Sequence, residues 1–381
     1  MISEKIHMVD LVSQYNKIQK EIDQAVIDCI RSSKFINGPA VKRFKENLAT
    51  YLGVKYVIPC ANGTDALQIA LMALGLKPGD EVITTPFTFV ATAEVIALLQ
   101  LKPVFVDIDP QTFNIDVNKI EAVINPRTKC IIPVHLFGQT VDMEPLMALA
   151  EKHHIYIVED NAQAIGGDYT FSDGRAQRSG TIGHIGCTSF FPSKNLGCFG
   201  DGGAIFTNDE KLAAEIRMIA NHGSKVKYYH SSIGVNSRLD AIQAAVLNVK
   251  LKYLDEYIAA RQKAAAYYSE KLKAIEGIQT PFIADNSTHV FHQYTLIVDE
   301  NRDELMEALK KQGIASAIYY PVPLHLQEAY RGDGYKAGDF PVSEEMSKKV
   351  LSLPIHTELD EPTQDFIVQS LINAYSNIEV V

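Results

Sequence analysis

The sequence predicts an α/β fold in which a sheet is covered by helices, followed by a smaller α+β domain. Two observations carry the first part: short apolar, β-branched runs recur through the first two thirds of the 381-residue chain, and helical spacing fills the intervals between them. A third observation carries the second part, because from about Leu251 the texture changes to a long alanine- and charge-rich stretch.

The strand-like runs are Tyr56 to Cys60, Glu81 to Thr84, Val104 to Ile108, Cys130 to Val134, Ile155 to Val158, Cys187 to Phe190 and Ala204 to Thr207. Their near-continuous hydrophobicity means burial on both faces. Helical patterns run over Thr64 to Leu74, Ala91 to Leu99, Met143 to His153 and Asp209 to Ala220, with stop signals at Gly75 to Asp80 and at Asn221-His222-Gly223. Beyond Leu251 come a helix from Tyr253 to Ile275, a strand from Gln293 to Val298, a helix from Arg302 to Gln312, a strand over Ala315 to Ile318 and a last helix from Thr363. The expected domains are 15–250, and 251–381 together with 1–14.

With 46% hydrophobic and 22% charged residues the chain has an ordinary globular composition. A net charge of −10 without a local basic cluster argues against nucleic-acid binding. Five scattered cysteines without a Cys-x-x-Cys pair point to a reducing compartment and away from disulfides and structural zinc. No stretch approaches the ~20 apolar residues of a spanning helix, and Met1 to His7 lacks the apolar core of a leader, so a cytoplasmic protein without membrane contact is expected.

Four features at strand ends carry chemistry. Lys194 stands between the aromatic pair Phe190-Phe191 and the glycine-rich loop to Gly203. A lysine desolvated at such a place has a lowered pKa and becomes a Schiff-base nucleophile, whereas a solvated loop lysine would do nothing of the kind. Asn62-Gly63-Thr64-Asp65 opens a helix, where glycine and free N–H groups accept an anion; plain helix capping would use the same residues. It lacks the Walker lysine and the dinucleotide glycine spacing. Asp160 ends a buried strand, where it needs a cationic partner such as a pyridinium nitrogen or serves as an N-cap. Phe87-Thr88-Phe89 offers a face for a flat heterocycle or a contribution to the core. Together the four suit pyridoxal 5′-phosphate.

The histidines suggest no metal. His153 and His154 are adjacent and cannot share a helix face, and His222 and His230 flank a segment, Lys225 to Tyr229, that suits a nucleotide diphosphate or a solvated loop.

The runs Phe35 to Pro39, Ala61 to Leu67, Pro86 to Thr92, Val134 to Gln139, Glu159 to Gln163, Thr188 to Gly203 and Gly234 to Asp240 closely resemble those of the DegT/DnrJ/EryC1/StrS sugar aminotransferases. The resemblance spans essentially the whole chain. It implies the type I fold of pyridoxal-phosphate-dependent transferases, with a mixed, mostly parallel seven-stranded sheet. It implies Lys194 as the lysine that holds the cofactor, Asp160 on the pyridine nitrogen, Gln163 near the phenolic oxygen and Phe89 stacked on the ring. Gly63, Thr64 and Ser189 would hold the phosphate, with Asn236 entering from the second protomer of a homodimer.

The implied reaction moves an amino group from L-glutamate to a nucleotide-linked keto-sugar by ping-pong turnover, in surface polysaccharide synthesis. Members acting at C4 tend to read Thr-Thr-Gly-Glu-Gly-Gly after the lysine; Asn195 to Gly203 reads like those acting on 3-keto sugars, above all on UDP-2-acetamido-2-deoxy-3-oxo-glucuronate. Arg238 would pair with the C6 carboxylate or form a structural ion pair. Tyr319 and Tyr320, before His325, stand where such members often carry His-Tyr, which leaves the C6 group, a dTDP-3-keto-6-deoxy sugar and C4 chemistry open. A lysine-to-histidine dehydratase and a non-catalytic regulator are the rivals, and Lys194 speaks against the first.

Overall fold

The computed structural model describes residues 5–379. The central sheet contains β1 (Tyr56–Cys60), β2 (Glu81–Thr84), β3 (Lys102–Phe105), β4 (Thr128–Ile131) and β5 (Tyr156–Asp160). A hairpin of β6 (Asp168–Thr170) and β7 (Ala176–Arg178) intervenes before β8 (Ile185–Ser189) and β9 (Gly203–Thr207) complete it. The order is β1-β9-β8-β5-β4-β2-β3. β9 pairs antiparallel with both neighbours and the remaining pairs are parallel, so the sheet is mixed and mostly parallel. Cys60, Thr84, Phe105, Asp160 and Ser189 therefore end their strands along one edge.

Successive side chains of a strand point to opposite faces, which splits the apolar runs between two cores. Ile58, Val82, Val158 and Ile205 pack with Leu67, Ile69, Ile96 and Ile216. Their neighbours Val57 and Phe206 pack with Phe44, Leu48, Phe190 and Leu247 on the other face. Phe44 and Leu48 belong to the helix Pro39–Leu52, which follows the helix Leu11–Ser32; neither was among the expected elements.

A small hairpin of β10 (Ser224–Val226) and β11 (Tyr229–His230) leads towards the helices Ala241–Lys250 and Leu254–Leu272. Beyond them β12 (Ile278–Gln279), β13 (Tyr294–Val298) and β14 (Val350–Leu353) form an antiparallel sheet. The helices Leu254–Leu272, Arg302–Lys311 and Glu361–Glu379 close it around Tyr268, Leu296, Leu309, Leu353 and Leu371. The expected domain bounds include residues 1–4 and 380–381, which lie outside the described residues.

The strand expected over Ala315 to Ile318 does not form. Ile314 makes one bridge to Ile6 and Ala317 one to Ser352. Its apolar residues are followed closely by Pro321 and Pro323, which carry no N–H for a ladder. β14 takes the place beside β13, pairing from Tyr294 with Leu353 to Ile297 with Val350. Just past β3, Asp107 caps the helix Pro341–Lys349, accepting from Ser343 Oγ at 2.6 Å and from the N–H groups of Val342 and Ser343 at 2.9 Å each. That cap joins the large sheet to the C-terminal part of the chain.

Candidate active site

Asp160 ends β5 with its side chain buried among polar partners. Thr92 Oγ1 donates to Oδ2 at 2.8 Å and the Ala162 N–H donates to Oδ1 at 3.2 Å. Burial pushes the carboxyl up from the ordinary carboxylate range, while these two donors and the charge of Lys194 pull it down. The preceding residue, Glu159, points to the opposite face. There it accepts from the N–H groups of Gly180, Ile182 and Gly183 and meets His135 Nε2 at 2.8 Å. Val141 N–H donates to His135 Nδ1, so Nε2 carries the ring proton and donates to Glu159. Glu159 is thereby fully engaged, and Asp160 is the carboxylate left for the site.

Lys194 follows β8 by five residues. The residue is half-buried but its amine is enclosed, and burial lowers its pKa to about 8 against the opposing pull of Asp160. Its loop is held at several points: the Phe190 N–H donates to Gly202, the Cys198 N–H to Phe190, and the Lys194 N–H to Phe191. Lys250, buried in the helix Ala241–Lys250, donates Nζ to the Gly197 carbonyl at 2.7 Å. Asn195 Nδ2 donates to the Val290 carbonyl at 2.9 Å.

At the end of β1, Asn62 caps the helix Gly63–Ala73 by accepting from the Asp65 N–H at 2.8 Å. Among the described residues nothing accepts from the Gly63 and Thr64 N–H groups, as is usual for a helix start. A Cβ on Gly63 would lie 2.8 Å from Ser189 Cβ, and one on Gly203 would lie 2.4 Å from the Asn62 carbonyl oxygen. Only glycine fits at both places, so a turn of free N–H groups lies directly against the end of β8. Ser237 Oγ accepts from the Ala61 N–H at 3.0 Å and donates to Asp65 Oδ2 at 2.6 Å, tying the segment of Asn236 and Arg238 to the same turn.

Gln163 is held from both ends of its amide: the Phe137 N–H donates to Oε1 at 2.7 Å and Nε2 donates to the Tyr320 hydroxyl at 3.1 Å. The Tyr320 ring stands 6.5 Å from that of Phe89, whose side chain is 56% exposed, and 6.1 Å from buried Phe87. Tyr319 stacks edge-on against Tyr320 at 5.9 Å. Lysine, carboxylate, amide, open aromatic face and unsatisfied N–H turn thus meet at one edge of the sheet. The donor set fits pyridoxal phosphate: a phosphate for the turn, a ring nitrogen for Asp160, a carbonyl carbon for Lys194.

Three expected residues stand elsewhere. Asn236 is exposed and is bridged to Asn221. Arg238 lines a groove with Asn37, Lys42, Lys45 and Arg217, with no carboxylate among its lining. His325 is buried against Phe340 and its Nε2 lies 2.9 Å from Glu344 Oε1, which places it in the packing of the C-terminal part. Of the other histidines, His153 pairs with Glu121 at 2.9 Å, and no group of three or more metal-ligating residues exists among the described residues.

Sequence reading missed Thr92, His292 and Arg261. Thr92 is the second residue of the helix Ala91–Leu98, three positions past Phe89, and is fully buried. His292 Nε2 lies 3.5 Å from Lys194 Nζ, across 98 positions of sequence.

A model of the DegT/DnrJ/EryC1/StrS aminotransferase family matches residues 16–372. The UDP-2-acetamido-2-deoxy-3-oxo-D-glucuronate aminotransferase of Pseudomonas aeruginosa is 49% identical over 97% of this chain and 100% of its own length. A pleiotropic regulatory protein of Geobacillus stearothermophilus is 49% identical over 97% of this chain and 98% of its own. The crystal structure of DesV of S. venezuelae in complex with a ketimine intermediate superposes with a TM-score of 0.93 at 38% identity, covering 97% of this chain and 98% of that one. No described helix is long and apolar enough to cross a membrane.

Proposed function

The chain belongs to the DegT/DnrJ/EryC1/StrS aminotransferase family and is a pyridoxal-phosphate-dependent sugar aminotransferase; on that premise we propose that it moves the amino group of L-glutamate to C3 of a UDP-linked 3-keto sugar of the 2-acetamido-2-deoxy-glucuronate class, for surface polysaccharide. The observation that carries the substrate is the 49% identity, over nearly all of both chains, to the enzyme named for that sugar. The loop from Asn195 to Gly203, which lacks the Thr-Thr-Gly-Glu-Gly-Gly of C4 enzymes, supports it.

When bound, pyridoxal phosphate supplies an electron sink for the negative charge that develops at carbon during amino transfer. Lys194 would hold the cofactor through Nζ and, when free, would take and return a proton there; its pKa near 8 without the cofactor suits both directions at neutral pH. Asp160, oriented by Thr92, would keep a proton on the ring nitrogen. The N–H groups of Gly63 and Thr64, with the hydroxyls of Thr64 and Ser189, would bind the phosphate. Phe89 would offer its face to the ring, and Gln163, fixed by Phe137 and Tyr320, would serve its phenolic oxygen. Tyr319 and Tyr320 border the sugar.

Asn236, which is exposed, and Arg238, which is half-buried in its groove, do not complete this site in one chain. We assign them to the partner's site in a homodimer, Asn236 at the phosphate and Arg238 at the sugar C6 carboxylate. The relative named as a regulatory protein favours a second reading, a non-catalytic protein of the same fold. Mass spectrometry of a panel of 3-keto and 4-keto nucleotide sugars, with glutamate as donor, separates the readings. Amination of 3-keto UDP sugars is expected, amination of 4-keto sugars alone would refute the C3 assignment, and amination of none, with no change in cofactor absorbance on adding glutamate, would leave the regulator.

A further inference from the structure

We propose that His292 is a positioning residue for Lys194: its Nε2 accepts a hydrogen bond from the lysine amine and so directs that nitrogen's lone pair towards the cleft. Nε2 lies 3.5 Å from Lys194 Nζ and 3.5 Å from the side-chain amide nitrogen of Gln293. Both neighbours are N–H donors, so Nε2 faces them as the acceptor and the ring proton sits on Nδ1. Nδ1 has no hydrogen-bond partner among the described residues. Burial and the charges of Lys194 and Arg261 hold the imidazole well below its ordinary range, so it is neutral and able to accept.

The backbone that carries the ring is fixed from behind. Arg261, buried in the helix Leu254–Leu272, has no carboxylate at ion-pair distance among the described residues. Its Nη1 instead donates to the carbonyls of Phe291 at 3.0 Å, Ile355 at 3.0 Å and His292 at 3.4 Å. The Val290 N–H donates to Gly138 and the Gln293 N–H to Phe137, whose own N–H meets Gln163. Asn195, next to the lysine, bonds the Val290 carbonyl. The imidazole and the lysine are therefore anchored to one another through backbone, a rigidity a gap-filling side chain would not need.

The charged groups facing the pair are Asp160 on the cleft side and Arg261 behind. An acceptor at Nζ favours ammonium over free amine and so opposes the burial that lowers the lysine. Removing it should lower the lysine further. The inference rests on the reading of Lys194 as the cofactor lysine for its consequence, but its test does not.

In full-length, cofactor-free protein, acetylation of Lys194 by acetic anhydride is followed against pH by peptide mass spectrometry. The wild-type midpoint is expected near 8. His292→Phe should move it down by about one pH unit, the scale of a hydrogen bond to a charged group, and His292→Gln, whose amide oxygen accepts, should restore it. His292→Leu substitutes if the Phe variant fails to fold. An unchanged midpoint in a folded Phe or Leu variant, or an equal drop in the Gln variant, overturns the proposal. Failure of the wild type to take up pyridoxal phosphate would instead sink the functional reading and leave this titration standing.

Discussion

Thr92 donates its hydroxyl hydrogen to Asp160, Oγ1 to Oδ2, at 2.8 Å from the first turn of the helix Ala91–Leu98. Inside a buried site this bond, with the Ala162 N–H, keeps the carboxylate from drifting further up. Thr92→Val keeps the shape and removes the donor. A bond to a charged group contributes about 1.5–3 kcal/mol, so pyridoxal phosphate should bind at least about tenfold more weakly, and Thr92→Ser should bind nearly as wild type. Equilibrium absorbance titration decides it; equal affinity in the Val variant would show that Asp160 needs no orientation by Thr92.

The buried amine of Lys194 has a consequence for stability in the cofactor-free protein. Its pKa falls from 10.5 unfolded to about 8 folded, so between these values the unfolded chain binds the extra proton and stability rises with pH. Below about pH 8 the cost of the buried charge is fully present, about 3 kcal/mol at the usual conversion. Lys194→Met should therefore be the more stable protein at pH 7, and its advantage should shrink as pH climbs from about 8 towards 10. Urea denaturation at several pH values tests this, and a constant difference would contradict it.

Gly63 and Ser189 approach so closely that a methyl group between them must displace the start of the helix Gly63–Ala73 or the end of β8. Gly63→Ala should lower stability by about 1–3 kcal/mol, the usual range for overpacking. Ser189→Ala keeps the obstructing Cβ and should give no relief in the double variant, whereas Ser189→Gly should recover part of the loss. Thermal melts of the cofactor-free proteins read the comparison.

His325 tests where the sugar site ends. Its bond to Glu344 lies within the packing around Phe340, so His325→Ala should cost about 2 kcal/mol of stability and leave KM for the nucleotide sugar within about twofold. A large rise in KM at unchanged stability would restore it to the substrate site.

The legible part of the site was the part carried by strand ends. Lys194, Asp160, Gly63 and Ser189 each follow a short buried run within a few residues, and chain order alone puts such residues on one edge of a parallel sheet. Thr92 was harder, because a threonine in a helix's first turn has ordinary local uses. The helices Leu11–Ser32 and Pro39–Leu52 were not among the expected elements, and the strand expected over Ala315 to Ile318 gave way to β14, since four residues interrupted by Ser316 have no periodicity long enough to decide a secondary structure.

The sequence by itself determined the class of fold and put a candidate cofactor lysine and its carboxylate at strand ends, because buried strands, helix starts and glycine turns are local consequences of residue type. Only the tertiary structure decided that Glu159 turns away to His135 while Asp160 stays, that His325 is spent on Glu344, and that His292 stands behind Lys194. Those choices depend on which side chains a folded sheet brings within a few ångströms from far apart in the chain, and on burial that no local pattern encodes.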